Sequence, residues 1–210
     1  VANQTVVAAG ASILAGYLCG SIPVGILVGK AYGIDPRTQG SGNTGATNIA
    51  RLLGPVPGAI VAVADVLKSF LPVLVAATLF GRDSWVPYLV GAAATVGHAY
   101  PIFAGFRGGK SVSAAFGVVL ALFPFPSAVA LALFFGLVIA GRIVSLASLA
   151  ATAYFGLAIM FRESGNVPAL TFVAVAVALI FYRHRHNIGR LIRGEEPRFQ
   201  FGKLRAEVRK

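Results

Sequence analysis

The chain alternates long apolar runs with short polar loops, and that alternation admits few folds. The run Pro55–Phe80 is long enough to cross a bilayer yet carries only Asp65 and Lys68 as charges. Comparable runs cover Thr5–Val28, Trp85–Phe103, Ile143–Phe161 and Val167–Tyr182. Two shorter ones, Val112–Phe123 and Ser127–Ala140, are split by Pro124 and Pro126 and fit either short, tilted helices or a re-entrant pair. Hydrophobic residues make up 57% of the chain and charged ones 12%, which leaves too little polar surface to cover a water-soluble globule. The expected class is all-α: a polytopic membrane protein forming a single domain over residues 1–210.

Details of the runs refine this. The first has no basic region before it, and Lys30 follows it, so a retained span rather than a cleavable signal is expected. Gly20-Ser21-Ile22-Pro23 marks a kink near its end, and the polar loop Lys30–Gly54 follows. Pro55 and Pro57 suit a helix's first turn, and Trp85 and Tyr88 read as interfacial anchors. Asp65 and Lys68 share one helical face. Mutual neutralisation is favoured for them over direct contact with a substrate.

The net charge of +11 could point to nucleic acid, but the basic residues are divided among short loops and a tail. Topology and attraction to anionic headgroups account for them better, and no nucleic-acid partner is expected. With seven spans, all eighteen lysines and arginines except Lys68, Arg82 and Arg162 fall on one side. The positive-inside rule then puts the N-terminus outside, with the C-terminus and a basic segment over 183–210 in the cytoplasm. Three polar loops share that cytoplasmic face.

The first, Gly40–Arg51, reads GSGNTGATNIAR and concentrates hydroxyls (Ser41, Thr47), amides (Asn43, Asn48) and one guanidinium, a donor set suited to an anion. The second holds Gly108-Gly109-Lys110-Ser111, unhindered amides followed by a flexible ammonium. It falls short of a nucleotide-binding P-loop, because Ala104 stands at the first glycine position and a membrane helix precedes it. The third, around His184, Asn187 and Arg190, lines one side of a helix if the segment is helical. Simple lipid attraction explains its charge but not Asn187 or His184. His98, at the end of the third run, suits either a general base or a structural hydrogen bond beneath the second loop.

Other chemistries find no support. There is no G-x-S-x-G elbow, the three histidines lack a ligating motif, and the single Cys19 lies in an apolar run. Neither metal nor cofactor is expected. Polyanion recognition at a membrane surface remains, which suits a lipid-phosphate enzyme, an anion transporter or a lipid-binding scaffold.

Together the loops resemble the bacterial acyl-phosphate:glycerol-3-phosphate acyltransferase family, the PlsY type. The resemblance rests on Gly40-Ser41-Gly42-Asn43, Gly45, Thr47-Asn48 and Arg51; on Gly97-His98, Phe103, Phe106 and Gly108-Gly109-Lys110; and on His184, Asn187, Arg190-Leu191, Gly194 and Glu196. Gly20–Pro23, Asp65–Lys68 and Ser145-Leu146 are weaker pieces of it. Ser111 and Ser69 depart from it, standing where the family commonly has glycine.

The resemblance implies transfer of a fatty acyl group from acyl phosphate, rather than acyl-CoA or acyl carrier protein, to the 1-hydroxyl of sn-glycerol 3-phosphate. Lysophosphatidate and phosphate are the products, and the reaction is the first acylation of bacterial phospholipid synthesis. A bacterial inner-membrane monomer in contact with membrane lipid is expected. The residues expected to contact the phosphates are Ser41, Asn43, Thr47, Asn48, Arg51, Gly108, Gly109, Lys110, Ser145, Asn187 and Arg190. Ser41, Lys110, His98, Asn187 and His184 are the candidates for catalysis. Because acyl phosphate is already activated, alignment and charge stabilisation suffice, and the donor's own phosphate can take the proton.

Overall fold

The computed structural model describes residues 2–200. Its helices are α1 (Ala2–Gly20), α2 (Val24–Ala31), α3 (Ala46–Leu53), α4 (Pro55–Phe80), α5 (Trp85–Ala99), α6 (Val112–Leu122), α7 (Pro124–Gly141), α8 (Val144–Arg162), α9 (Val167–Arg183) and α10 (Arg185–Ile192). No strand occurs among the described residues.

Four stretches are long and apolar enough to cross a membrane: Asn3–Ala31, Pro55–Phe80, Pro124–Gly141 and Val144–Arg162. The pair α9–α10, bent by 60°, makes a fifth if taken as one span. The expected kink falls where Ser21–Pro23 separates α1 from α2. The second short run is longer than the sequence suggests. Pro124 and Pro126 open α7 rather than break it, since a proline in the first turn forgoes an N–H that has no helical partner. α3 was not anticipated. It is a short amphipathic helix inside the polar loop, with Ile49 fully buried beneath it.

Helix pairs approach closely where side chains are small. A β-carbon on Gly117 of α6 would lie 2.2 Å from Val66 O of α4, and one on Gly20 of α1 would lie 2.1 Å from Ala94 O of α5. The core runs between α4, α5, α6, α8 and α9 through Val73, Val90, Val118, Leu122, Phe123, Phe155 and Phe172. Exposed Leu71, Leu74, Val75 and Leu79, which take no part in the cavity described below, leave the second half of α4 apolar on its outer side, as lipid contact requires. Tyr88 is not the interfacial anchor expected: it is 2% exposed, and its hydroxyl accepts a hydrogen bond from Asn166 Nδ2 (3.2 Å).

Candidate functional site

The three polar loops meet. A cavity of about 1550 Å³ is lined by all three, by Ser145 and Ser148 at the start of α8, and by apolar side chains of α6 to α9. The sequence places these groups far apart; the helical bundle brings them to one end of a single space.

Helix termini supply part of its character. The first residues of α3 (Ala46, Thr47), α6 (Val112, Ser113) and α8 (Val144, Ser145) line the cavity. None of these three helices has a side-chain cap, whereas α9 is capped by Asn166, whose Oδ1 accepts from Ala169 N–H (3.0 Å). Free N–H groups and the positive ends of three helix dipoles therefore face the space where Arg51, Lys110 and Arg190 also lie. That set suits a multiply charged anion.

Asn48 is spent on the loop itself. Its amide donates to Pro36 O and Gln39 O (both 3.1 Å), and its Oδ1 accepts from Ser41 N–H (2.8 Å). Asn43 Oδ1 accepts from Gly45 N–H (2.8 Å) and closes the turn into α3. Ser41 is exposed and Thr47 half-buried, both on the cavity wall. Arg51 is half-buried, and burial draws its pKa below the ordinary value, with Glu196 opposing and Arg190 adding to the fall.

The glycine loop works differently from its sequence reading. Gly108 and Gly109 do not offer their amides to the cavity: they donate to Ala99 O (3.2 Å) and His98 O (3.1 Å). Their carbonyls accept from Arg183, at 2.8 and 3.1 Å respectively. Glycine is needed here for close packing, because a β-carbon on Gly108 would sit 2.1 Å from His98 O. Lys110 is what the loop delivers. Burial pushes its ammonium down to about 8, with Glu196 opposing and the guanidinium groups of Arg190, Arg51 and Arg183 adding to the fall. Its Nζ donates to Asn187 Oδ1. Ser111 adopts φ +64°, a left-handed conformation in which glycine is strain-free, and its hydroxyl donates to Thr95 O (2.8 Å).

Beneath the loop lies His98, 7% exposed, with Nδ1 3.6 Å from Asp65 Oδ1 and without a hydrogen-bond partner. Asp65 pairs with Lys68 at 2.8 Å, and Lys68 Nζ also donates to Ile22 O (2.8 Å) at the α1–α2 break. The neutralised pair expected from the sequence is thus also a strut under the loop.

The third motif is helical, and His184, Asn187 and Arg190 all line the cavity. His184 Nδ1 donates to Ile180 O (2.8 Å), which leaves Nε2 as an acceptor. Burial pushes its pKa down to about 4, outweighing the bond to Ile180, so the ring is neutral near pH 7. Glu196 ties the motif together. Its carboxylate accepts from Ser145 Oγ (2.7 Å), Asn187 Nδ2 (2.5 Å) and Arg190 Nε (2.7 Å). Burial alone would raise the Glu196 carboxyl, but these bonds outweigh it and hold the group below its usual range. Ser148 bonds to its own helix instead, donating to Val144 O (2.9 Å).

The segment from Arg183 is accordingly not simply a surface tail, since Arg183 braces the glycine loop and Glu196 turns into the cavity. Lys203, Arg205, Arg209 and Lys210, expected on the membrane surface, lie outside the described residues. Two organising groups escaped the sequence reading. Arg183 looked like one more basic residue, and its partners lie 74 and 75 positions away. The open helix ends left no sequence signal, because Ser111 looks like a capping residue but is turned toward Thr95.

The profile of the family described as Glycerol-3-phosphate acyltransferase matches residues 10–194. A glycerol-3-phosphate acyltransferase of Aquifex aeolicus is 44% identical over 189 residues, covering 89% of this chain and 97% of that one. One of Geobacter sulfurreducens is 45% identical over 185 residues, covering 88% and 94%. The crystal structure of PlsY (YgiH), an integral membrane glycerol 3-phosphate acyltransferase, in its glycerol 3-phosphate form superposes with a TM-score of 0.88 at 44% identity, over 92% of this chain and 96% of that one. Its lysophosphatidic acid form gives 0.86 over the same shares. By sequence along nearly its whole length and by fold, this chain belongs to the glycerol-3-phosphate acyltransferase family.

Proposed function

We propose that the chain transfers a fatty acyl group from acyl phosphate to the 1-hydroxyl of sn-glycerol 3-phosphate, giving lysophosphatidate and phosphate. One observation carries this reading: a single cavity joins a cationic end, at Arg51, Lys110 and Arg190, to an apolar groove between α6, α7, α8 and α9. A phosphorylated headgroup fits the first and an acyl chain the second. The glycerol 3-phosphate and lysophosphatidic acid forms in which PlsY (YgiH) was solved support the acceptor and the product.

In this reading the donor's phosphate meets Lys110 and the N-terminus of α6, and glycerol phosphate meets Arg51 and the N-terminus of α3. Ser41 and Thr47 contribute hydroxyls from the first loop. Asn187 and neutral His184 orient the attacking hydroxyl, with Ser145, Arg190 and Glu196 holding Asn187 in place. The hydroxyl oxygen bonds to the acyl carbon, the bond from that carbon to the phosphate oxygen breaks, and the departing phosphate takes the hydroxyl proton. Lys110 offsets charge on the leaving group, so neither a covalent intermediate nor a protein base is required. His98, whose Nε2 edge abuts Gly109, supports the loop rather than acting as the base.

We further propose one domain over residues 1–210, acting as a monomer in the bacterial plasma membrane. Seven crossings would place the N-terminus outside and the cationic end of the cavity at the cytoplasmic face, without a cofactor. The enrichment of Lys and Arg on that face supports this.

The test is phosphate release by the purified protein given palmitoyl phosphate, with and without glycerol 3-phosphate. Release that depends on the acceptor, together with lysophosphatidate formation, is expected. Equal use of palmitoyl-CoA would overturn the donor assignment. Arg51→Ala and Lys110→Ala should each remove most turnover while thermal unfolding in detergent stays near that of the parent.

A further inference from the structure

The apolar part of the cavity has an end. Its wall on α8 runs from Ser145 through Ser148, Ala151 and Thr152 and stops at Phe155. On α9 it runs from His184 to Phe172. One turn past Phe155, Ile159 is fully buried and takes no part in the lining. Behind the last layer stands an aromatic ladder. Phe155 and Phe123 have ring centroids 6.2 Å apart, and Phe123 and Tyr88 6.4 Å. The ladder is fastened at its far side, where Arg82 lies 5.7 Å over the Phe123 ring and Asn166 donates to Tyr88. A wall built this way yields less readily than one of aliphatic side chains facing lipid.

We infer that Phe155, backed by Phe123, is the floor that sets the acyl chain length the cavity accepts. This rests on the acyl-phosphate reading above. Ten residues of α8 separate Ser145 from Phe155, roughly 15 Å at the helical rise. Along α9, His184 to Phe172 gives roughly 18 Å. An extended chain advances about 1.25 Å per methylene, so these depths hold about 12 to 14 methylenes. With the carbonyl carbon held near Ser145 and Asn187, donors of about 14 to 16 carbons fill the groove. Longer chains must bend or leave their last methylenes outside it.

The experiment is internal competition. Palmitoyl and eicosanoyl phosphate are supplied at equal mole fraction in one detergent micelle with glycerol 3-phosphate, and the two products are measured by mass spectrometry. The parent should favour the shorter chain by roughly tenfold or more, the scale expected when a few methylenes lose their burial. Phe155→Ala should bring the ratio close to one, and Phe155→Trp, assayed with myristoyl against palmitoyl phosphate in the same way, should favour the shorter chain more than the parent does. Phe155→Leu, which keeps more of the packing, should fall between parent and alanine variant and decides the matter if the alanine variant does not fold. Phe125→Ala, at a residue 70% exposed and outside the cavity, should leave the ratio unchanged. Equal use of both chains by the parent, or a ratio unmoved at position 155, would overturn the floor and mean that the chain exits sideways past α7. Absence of product from either donor would instead overturn the acyl-phosphate reading itself.

Discussion

Gly109 abuts the Nε2 edge of the His98 imidazole: a β-carbon at Gly109 would stand 2.1 Å from Nε2. Gly109→Ala must therefore lift the loop or push the ring, and the loop carries Lys110. The substitution should reduce turnover about 100-fold, the scale of an ångström's misplacement near reacting groups. Its cost in stability should be about 1–3 kcal/mol. Steady-state phosphate release and thermal unfolding check the two effects separately, and near-parental turnover would show that the loop has room to move.

Ser111 offers a test with opposed contributions. Glycine would relieve the left-handed backbone but lose the hydroxyl's bond to Thr95 O, each worth about 1 kcal/mol. Ser111→Gly should thus be nearly neutral in unfolding experiments. Ser111→Ala keeps the strain and loses the bond, and should be destabilised by about 1 kcal/mol.

Lys110 predicts a pH dependence. With its ammonium held at about 8 in the unliganded protein, kcat/KM should fall as pH rises through that value. A bound phosphate favours the charged form, so kcat should fall at a higher pH. Lys110→Arg, which stays charged, should lose less activity than Lys110→Ala and show no fall near pH 8. For folding the sign is reversed: between about 8 and the ordinary 10.5 the unfolded chain binds more protons, so this group's contribution to stability rises with pH.

Glu196 acts at the acid end. Its carboxyl lies below the ordinary 4.5 when folded, so its stabilisation is present above that value and lost as pH falls through the folded one. Glu196→Gln should flatten that part of the stability profile. Glu196→Ala should also lower turnover, because Asn187 and Arg190 lose their shared acceptor.

Asp65 and Lys68 are 3% and 7% exposed at the side chain and paired. Asp65→Leu leaves an ammonium buried without its partner and should cost about 3–5 kcal/mol. The double variant Asp65→Leu with Lys68→Met should recover most of that loss, measured by unfolding in detergent. A double variant as unstable as the single would show that the charges do more than neutralise each other.

Much of the molecule was legible along the chain because its signals are local. Long apolar runs admit helices in lipid and little else, so α1, α4, α8 and α9 lie close to where composition puts them. The three polar loops were equally plain, since their clustered glycines, hydroxyls, amides and cations form a donor set that a simple connection between spans does not need. The tertiary structure alone decided how each polar atom is spent. Gly108 and Gly109 look like free amides in sequence, yet the end of α5 and Arg183 take up their hydrogen bonds. Asn48 looks like a ligand and is a brace; Glu196 belongs to the third motif in sequence, but only the fold shows that its carboxylate anchors Asn187. Hydropathy depends on what a residue is. A hydrogen-bond partner depends on what lies opposite, and here that is set by helices brought together from across the chain.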